Sequence, residues 1–381
     1  MPELFSPEQL AIRDTIRELV QAKVAPRAAE IDASAEYPVD IERLFAESGI
    51  LGIPFPERYG GVDGSSVGIC MGIEEIARVD TTSSLILAVQ ALGSYPILLA
   101  GSEDQKQRLC PPLAAGERMA AYALSEPDSG SDAAAMKTTA KRYGDEYVIN
   151  GSKIFITNAS EAETLVVFAR TDPAAGSRGI SAFVLEKDAS PWNVEKVEHK
   201  LGIRGSPTCY LTFEEVRVPA ANRLGDEGQG FKIALNVLDH SRPGIGAQAL
   251  GIAEGALDYA LGYAKERHQF GQPIAQFQGV QFMLADMATQ IEAARHLVFA
   301  AARRVDDHAP DMTKYAAMAK LFASDTAMKV TTDAVQVLGG YGYIRDYPVE
   351  RMMRDAKITQ IYEGTNQIQR VVIGRALLRS L

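Results

Sequence analysis

The sequence is poor in the side chains that build metal centres and disulfide frameworks. Its three cysteines, Cys70, Cys110 and Cys209, lie far apart without CxxC spacing, and no two of its five histidines have the spacing of metal ligands. These spacings argue against a zinc site and against a disulfide scaffold. We therefore predict no metal, and we interpret the cysteines as reduced thiols of the protein core.

Positive charge is also in short supply. The chain has 39 lysines and arginines against 49 aspartates and glutamates, which gives a net charge of −10. A general nucleic-acid binder needs a basic surface to neutralise phosphates, so we predict no nucleic-acid partner. The first residues lack the basic and apolar regions of a secretory signal, and no uninterrupted apolar run approaches the roughly 20 residues of a membrane span. The sequence thus predicts a cytoplasmic protein without membrane insertion.

The chain does contain enough apolar material for several cores, arranged in three regions. Hydrophobic residues make up 46% of its 381 positions, which suffices for a multi-domain protein. Helical periodicity dominates residues 1–117, short apolar runs separated by Gly, Pro and Asp fill residues 118–226, and helical periodicity returns over residues 227–381. We predict an α+β fold, with an N-terminal all-α domain, a middle β-barrel or β-sandwich domain and a C-terminal helical bundle.

Local signals mark individual elements. Ser6, followed by Pro7 and Gln9, predicts a capped helix start. In YVINGSKIFITNAS, the dipeptide Asn150-Gly151 predicts the tight turn of a β-hairpin. In the last region, two stripes at three- and four-residue steps predict two long helices with buried faces, the second rich in methionine. The first stripe is Leu284, Met287, Ile291, Ala294, Val298, Ala301 and Val305, and the second is Met318, Leu321, Asp325, Met328, Thr332 and Val335.

Two motifs bear on function. YALSEPDSGSDAAA places small polar residues in a loop where the β region begins, as a loop around a polar cofactor requires, although a simple turn has the same composition. Near the C-terminus, IYEGTNQIQR places Glu363 beside Gly364, where a carboxylate could be held against a ligand. By itself, this pattern is also typical of a solvated loop residue.

The sequence contains five motif blocks in the order of a known family: ALSEPDSGSD, NGSKIFITN, ERHQFGQPIAQFQ, QVLGGYGY and IYEGTNQIQR. Together with PERYGG and GIRGSPTCYLTFEEVRVP, they resemble the acyl-CoA dehydrogenase family, in particular its short-chain, medium-chain or short-branched-chain members. The resemblance extends through all three regions. It implies the fold of that family, in which the C-terminal domain is a four-helix bundle.

The resemblance implies a flavoenzyme that contains FAD. Such an enzyme desaturates a short- to medium-chain acyl-CoA, branched chains included, to the trans-2-enoyl-CoA. Glu363 matches the carboxylate that removes the α-proton while the β-hydrogen leaves as a hydride to flavin N5. The main-chain N–H of the same residue would polarise the thioester carbonyl. Burial would disfavour the ionised glutamate and so raise its pKa.

The resemblance also implies further site residues and a pocket. We place the floor of the acyl pocket near Ser84, Leu85, Ala88 and Leu92, which favours a short or medium chain. The residues matched to FAD binding are Tyr122, Leu124, Ser125, Gly130, Ser131, Phe155, Thr157, Arg267, Gln269, Phe270, Gln278, Gln336, Gly339, Gly340, Thr365 and Gln367. The residues matched to substrate binding are Ser131, Asp239, Arg242, Tyr362 and Gly364.

The resemblance implies partners as well. In the family, the groups matched by Arg267 and Gln336 reach the cofactor of a neighbouring subunit, which implies an obligate oligomer, in particular a homotetramer. Electron-transfer flavoprotein would accept the electrons. The alternatives are an acyl-CoA oxidase that uses oxygen, a monooxygenase-like relative and a non-catalytic CoA-binding scaffold subunit. Some relatives carry the base at the position of Ser241, which cannot serve here, whereas the retained Glu363 and the intact flavin motifs favour a dehydrogenase.

Overall fold

The N-terminal region is helical, as the sequence predicts. The computed structural model describes residues 5–62 and 64–379. Two helices start with a capping box, in which Ser6 and Ser102 exchange hydrogen bonds with Gln9 and Gln105 and so satisfy N–H groups of the first turn. The helices are α1 Pro7–Lys23, α2 Ala28–Ser34, α3 Val39–Glu47, α4 Ser66–Ala77, α5 Thr81–Ala100 and α6 Glu103–Ala114.

Helix α5 is the apolar centre of this region. Within the described residues, it is the one helix long and apolar enough to cross a membrane, with 20 residues and a mean hydropathy of 1.6, and 78% of that window is buried inside the protein. Polar residues such as Gln90 and Ser94 interrupt α5, so it is not an uninterrupted apolar run, and the expected lack of membrane insertion stays a prediction. Its buried Gln90 bonds internally, because the side-chain amide donates to the Leu113 carbonyl at 2.7 Å and accepts from the Ala120 N–H at 2.8 Å.

The middle region forms one eight-stranded sheet. Its strands are β1 Ala120–Ala123, β2 Thr139–Tyr143, β3 Glu146–Thr157, β4 Thr164–Arg170, β5 Ile180–Glu186, β6 Asn193–Val197, β7 Thr208–Pro219 and β8 Arg223–Leu224. They pair in the order β6-β7-β3-β2-β4-β5-β8, and β1 lies parallel to β4. Side chains of β4 alternate between two cores, because Val166 and Phe168 pack with the helices while Leu165 and Val167 pack within the β region.

The residues Asn150 and Gly151 lie in the middle of β3, so the predicted position of the hairpin turn is wrong. The turn lies instead between Tyr143 and Glu146, which pair with each other. Gly144 supplies the positive φ, +63°, that a tight hairpin turn requires. β3 pairs with β2 on one side and β7 on the other, and this pairing outweighs the local turn signal of the dipeptide.

The C-terminal region is a bundle of three long helices with two shorter ones packed on α9. This arrangement confirms the predicted order of helical, β and helical regions. A two-stranded ribbon of β9 His268–Gln269 and β10 Gln272–Pro273 lies between the first two helices. The helices are α7 Gly230–Glu266, α8 Gln278–Asp306, α9 Met312–Leu338, α10 Val349–Thr359 and α11 Asn366–Arg379.

Of the two predicted buried faces, one is confirmed and one is wrong. In α8 the stripe from Met287 to Val305 is buried and Leu284 is half-buried, so this prediction is confirmed. In α9 the predicted stripe is wrong, because none of its members is fully buried. Small side chains form the buried face instead and allow close approach to α7. These are mainly Ala316, Ala319, Ala323, Ala327 and Ala334.

A buried arginine ties three helices together. Arg295 of α8 is 3% exposed and forms ion pairs with Glu74 of α4 and Glu254 of α7. Removal of one partner from such a buried pair typically costs about 3–5 kcal/mol, because it leaves an uncompensated charge. The relative positions of α4, α7 and α8 are therefore strongly constrained.

We expect Gly151→Ala to destabilise the protein more than Gly144→Ala. Both glycines have positive φ, so each alanine costs about 1–2 kcal/mol of backbone strain. At position 151 the added Cβ would also lie 2.7 Å from the Thr138 Cα, whereas nothing lies within 4 Å at position 144. The midpoint of urea-induced unfolding measures the difference. Equal shifts for the two variants would contradict the placement of Gly151 inside β3.

Candidate active site

A narrow pocket lies between α4, α5 and α7, beside the turn that joins α10 to α11. Its walls include Ala88 and Tyr95 of α5, His240 and Ser241 of α7, and Glu363 of the turn. The accessible space is about 10 Å³, which is room for about one water molecule. Mostly apolar side chains of α4 complete the lining, so the side of Glu363 that faces the pocket is shielded from solvent.

The pocket uses a different part of α5 from the one predicted. Of the four expected floor residues, Ala88 lines the pocket, whereas Ser84, Leu85 and Leu92 do not. The lining continues about two helical turns beyond Ala88 to Tyr95. The sequence pattern identifies the buried face of α5, but the depth of a pocket along a helix depends on how the neighbouring backbones are placed.

The turn that carries Glu363 has an unusual backbone. Glu363 has φ +51° and Gly364 has φ +94°, and the first value is costly for a residue with a Cβ. Arg242 Nε and Gln369 Nε2 donate to the Glu363 carbonyl at 3.4 and 3.2 Å. Gln369 Nε2 and Lys320 Nζ donate to the Gly364 carbonyl, both at 2.9 Å. Both carbonyls are thus held by the bundle, whereas the Glu363 N–H has no hydrogen-bond partner among the described residues.

The Glu363 carboxylate is held and electrostatically adjusted by its neighbours. It accepts a hydrogen bond from Ser241 Oγ at 2.5 Å. Burial raises the pKa of Glu363 to about 7, while the Ser241 hydrogen bond and the positive charges of Arg242 and Lys320 oppose this rise. The direction is the one expected from the sequence. A carboxyl group with a pKa near neutral is suited to accept a proton from a weak acid.

Four predicted substrate-binding residues surround this turn. Arg242 is 4% exposed and forms an ion pair with Asp239 at 2.8 Å. Gly364 follows Glu363 directly, and Tyr362 precedes it. The Tyr362 hydroxyl is hydrogen-bonded to an amide side chain of α7. The structure therefore brings these four residues to the turn of Glu363, although none of them lines the pocket, while the fifth, Ser131, lies in the middle region.

Seven predicted cofactor residues cluster where the loop after β1 meets β3. The Ser125 carbonyl accepts from the Ile154 N–H at 2.9 Å, which places the loop beside Phe155. Phe155 lies at a β-bulge with φ +61°, and it is 64% exposed. Of the other members, Tyr122 and Leu124 are buried, Thr157 is half-buried, and Gly130 and Ser131 are exposed.

Another group of predicted cofactor residues lies at the end of the bundle. A groove of about 460 Å³ is lined by Arg267, Gln269, Gly339 and Gly340 with apolar and aromatic neighbours. The Arg267 guanidinium lies 5.3 Å from the Tyr341 ring centroid, and no carboxylate pairs with it among the described residues. The other members, Phe270, Gln278 and Gln336, are exposed. Thr365 and Gln367 lie elsewhere, at the start of α11 beside Glu363.

The two groups together fit an extended cofactor with a planar ring at one end and a dinucleotide at the other. Phe155 offers an exposed aromatic surface for the ring. The groove offers a guanidinium for a pyrophosphate and, at Gly339 and Gly340, positions where no atom lies within 4 Å of an added Cβ. Within the described residues, no hydrogen bond or ion pair joins the two groups, so each would hold its own part of such a cofactor.

Comparisons with known proteins agree with this geometry. Models of the N-terminal, middle and C-terminal domains of acyl-CoA dehydrogenases match residues 6–117, 121–216 and 228–378. A probable acyl-CoA dehydrogenase, FadE25, of Mycobacterium tuberculosis is 54% identical over 97% of this chain and 95% of its own. The short-chain specific acyl-CoA dehydrogenase of Clostridium acetobutylicum is 49% identical over 98% of both chains. The structure of butyryl-CoA dehydrogenase from Megasphaera elsdenii is 45% identical, with a TM-score of 0.95, and the match covers 98% of this chain and 99% of that one.

Fold and site define an enzyme with a carboxylate at a pocket and with surfaces that would hold a flavin. The chain belongs to the acyl-CoA dehydrogenase family, and it is an acyl-CoA dehydrogenase that uses FAD. The resemblance seen in the sequence is thereby confirmed, as are the fold class and the cofactor. The domain limits and the roles of individual site residues stay predictions, although the limits lie close to the matched ranges.

The sequence did not identify three residues whose side chains contact the turn. Ser241 was considered only as a position that cannot act as a base, yet it donates to the carboxylate. Lys320 carried a usable signal, because a lysine in the alanine-rich face of a helix needs a buried partner. Gln369 carried none, since a glutamine in NQIQR has the composition of an exposed helix surface.

We expect a titration of Glu363 with a midpoint near pH 7, where its pKa lies. Ser241→Ala removes a hydrogen bond that favours the ionised form, so the midpoint should move to higher pH. Infrared difference spectra over a pH series measure the carboxylate signal, and Glu363→Gln is the reference that lacks it. A midpoint near the ordinary glutamate value of 4.5, or a downward shift in Ser241→Ala, would contradict this electrostatic account.

Proposed function

We propose that this enzyme oxidises a short-chain acyl-CoA between Cα and Cβ to the trans-2-enoyl-CoA, with Glu363 as the base. The observation that carries the proposal is the position of the Glu363 carboxylate at the wall of an enclosed pocket between α4, α5 and α7. A C–H group beside a thioester is a weak acid, so its base must be both positioned and strong. Burial supports the second property, because it raises the pKa of Glu363.

The groups at and around the turn have separate roles in the proposed reaction. Glu363 takes the α-proton of the thioester, and Ser241 Oγ directs its carboxylate. The Glu363 N–H, which has no partner within the described part of the chain, is available to donate to the thioester carbonyl as negative charge develops there. FAD supplies the acceptor for the β-hydrogen, which leaves as a hydride. The two hydrogens lost by the substrate are thus accounted for.

The side chains at the end of the pocket support a short acyl chain. The ring of Tyr95 stands in the pocket wall together with His240. The two rings lie 5.9 Å apart between centroids, so they form a bulky end to the cavity. Two relatives with short-chain names, from Clostridium acetobutylicum and Megasphaera elsdenii, support the same substrate class.

Glu363→Gln tests the base. The amide keeps the size of the side chain and the main-chain donor but cannot take up the proton. We expect anaerobic flavin bleaching by butyryl-CoA to slow at least about 100-fold, since positioned bases contribute about 10²–10⁴ in rate. The Kd of butyryl-CoA should change little. Glu47→Gln, an exposed glutamate at the end of α3, is the matched control.

The same assay separates the rival functions. Bleaching of Glu363→Gln at the wild-type rate would remove Glu363 from the mechanism. A wild-type protein that no acyl-CoA bleaches would favour the scaffold subunit. Rapid turnover with oxygen as the sole acceptor would favour the oxidase.

Tyr95→Ala tests the chain-length limit. Each buried methylene contributes about 0.8 kcal/mol, so two more would raise the kcat/KM ratio of hexanoyl-CoA to butyryl-CoA by up to about 15-fold. The control is Leu87→Ala, a fully buried residue of α5 outside the pocket lining. It removes a similar apolar side chain and should leave the ratio unchanged. The proposal fails if Tyr95→Ala leaves the ratio at its wild-type value.

We also propose that the enzyme is a homo-oligomer, in particular a tetramer. No hydrogen bond or ion pair joins the groove of Arg267 to the cluster of Phe155 within the described residues, which is consistent with a cofactor site that a second copy completes. The exposed Phe270 and Tyr343, 93% and 82% accessible, offer apolar surface for that contact. Electron-transfer flavoprotein as acceptor, which the family resemblance implies, and a cytoplasmic location, which stays a prediction from the sequence, complete the proposal.

A further inference from the structure

Lys320 has no exposed surface. It lies on the alanine-rich face of α9, where a charged amino group is costly unless hydrogen bonds satisfy it. Its Nζ donates to the Gly364 carbonyl and to Asn366 Oδ1, each at 2.9 Å. Both partners belong to the segment directly after Glu363, so this lysine acts on the backbone that carries the base.

Asn366 extends the same network into α9. Its Nδ2 donates to Ser324 Oγ at 2.9 Å and to Asp325 Oδ1 at 2.7 Å. Ser324 Oγ in turn donates to the Lys320 carbonyl at 2.7 Å. The first residue of α11 is therefore fixed to one turn of α9, and Lys320 is the member of the network that reaches the turn of the base.

A comparison with the other fully buried lysine separates a structural role from a positioning role. Lys153 pairs with the Glu126 carboxylate at 2.9 Å, as expected where a buried ammonium needs an opposite charge. Lys320 has no carboxylate within ion-pair distance among the described residues, and its partners are a carbonyl and an amide oxygen. Burial lowers the pKa of Lys320 to about 7, and the nearby Glu363 opposes this fall. Its contacts therefore serve the geometry of the turn more than charge neutralisation.

The turn needs such support because its conformation is unfavourable. A left-handed φ costs about 1–2 kcal/mol for a residue with a Cβ. The opposing contribution comes from the donors that hold its carbonyls. Lys320 and Gln369 share the Gly364 carbonyl, and both approach from the interior of the bundle. Loss of one donor would let the peptide rotate and would change the direction of Glu363.

We propose that Lys320 is a positioning residue for the base: by holding the Gly364 carbonyl from α9, it keeps Glu363 in the left-handed conformation that leaves its N–H free and its carboxylate at the pocket. This inference rests on the proposed role of Glu363. It assigns no contact between Lys320 and the substrate. A positioning residue acts on the rate of proton removal more than on acyl-CoA binding.

The test uses Lys320→Met and Lys320→Gln in the FAD-loaded enzyme. We expect anaerobic bleaching at saturating butyryl-CoA to slow about 100-fold in Lys320→Met, the loss that a misplacement of about 1 Å can cause. Lys320→Gln should lose about tenfold, because a neutral amide makes a hydrogen bond of about half the strength. The Kd of butyryl-CoA and the flavin content should stay near wild type. The control is Lys329→Met, an exposed lysine of the same helix, which should bleach at the wild-type rate.

The outcomes decide between roles. Wild-type rates in both Lys320 variants would overturn the proposal, and so would a loss that appears equally in Kd or flavin content, since it would assign Lys320 to general folding. If Lys320→Met does not accumulate as a flavoprotein, Lys320→Gln decides by the same criteria. Glu363→Gln in the same assay distinguishes a failure of the proposed base from a failure of the proposed role of Lys320. Fast bleaching there would overturn the base and this inference together, whereas slow bleaching there with wild-type rates in the Lys320 variants would overturn this inference alone.

Discussion

The direction of two carbonyl groups, those of Glu363 and Gly364, is the constraint on which the candidate site depends. Side chains from α7, α9 and α11 hold them, so three helices of the bundle must be packed before the glutamate has its conformation. The pocket that it faces is built by α4 and α5 of the N-terminal region together with α7. The site is thus a product of the contact between the two helical regions, while the sheet carries the exposed Phe155 that is predicted to face the flavin.

Burial of charge around the turn is tolerated because opposite charges meet there. Glu363 and Asp239 lie with Arg242 and Lys320 in one small region, and the four charges sum to zero when all are ionised. Coulomb attraction in this low-dielectric setting offsets part of the desolvation of each group. The remaining cost falls on Glu363, Asp239 and Lys320, whose ionised forms burial disfavours. Desolvation of the ionised Glu363 weakens the folded state. It also raises the pKa of this carboxylate and so makes it a better proton acceptor.

The sequence predicted the order of the three regions and several local elements, but not every detail of the scaffold. The capped start of α1, the face of α8 and the buried free thiols follow from local chemistry and are confirmed. The turn expected at Asn150-Gly151 was wrong, because pairing with two neighbouring strands overrides a dipeptide preference. The predicted buried face of α9 was also wrong. Close packing against α7 selects alanines over the larger residues that dominate the apolar sequence pattern. Glu363 was found through its motif, whereas Gln369 contacts it only because α11 folds back on the turn.

The ion pairs of Arg295 have a consequence for how such an enzyme can change over evolutionary time. They bind α4, α7 and α8 through charges that no single substitution can remove cheaply. Two of these helices, α4 and α7, are walls of the pocket beside Glu363, so the walls cannot drift apart gradually to admit a larger ligand. New substrate preferences would arise by exchange of single side chains on a rigid frame, and the catalytic turn would be inherited unchanged.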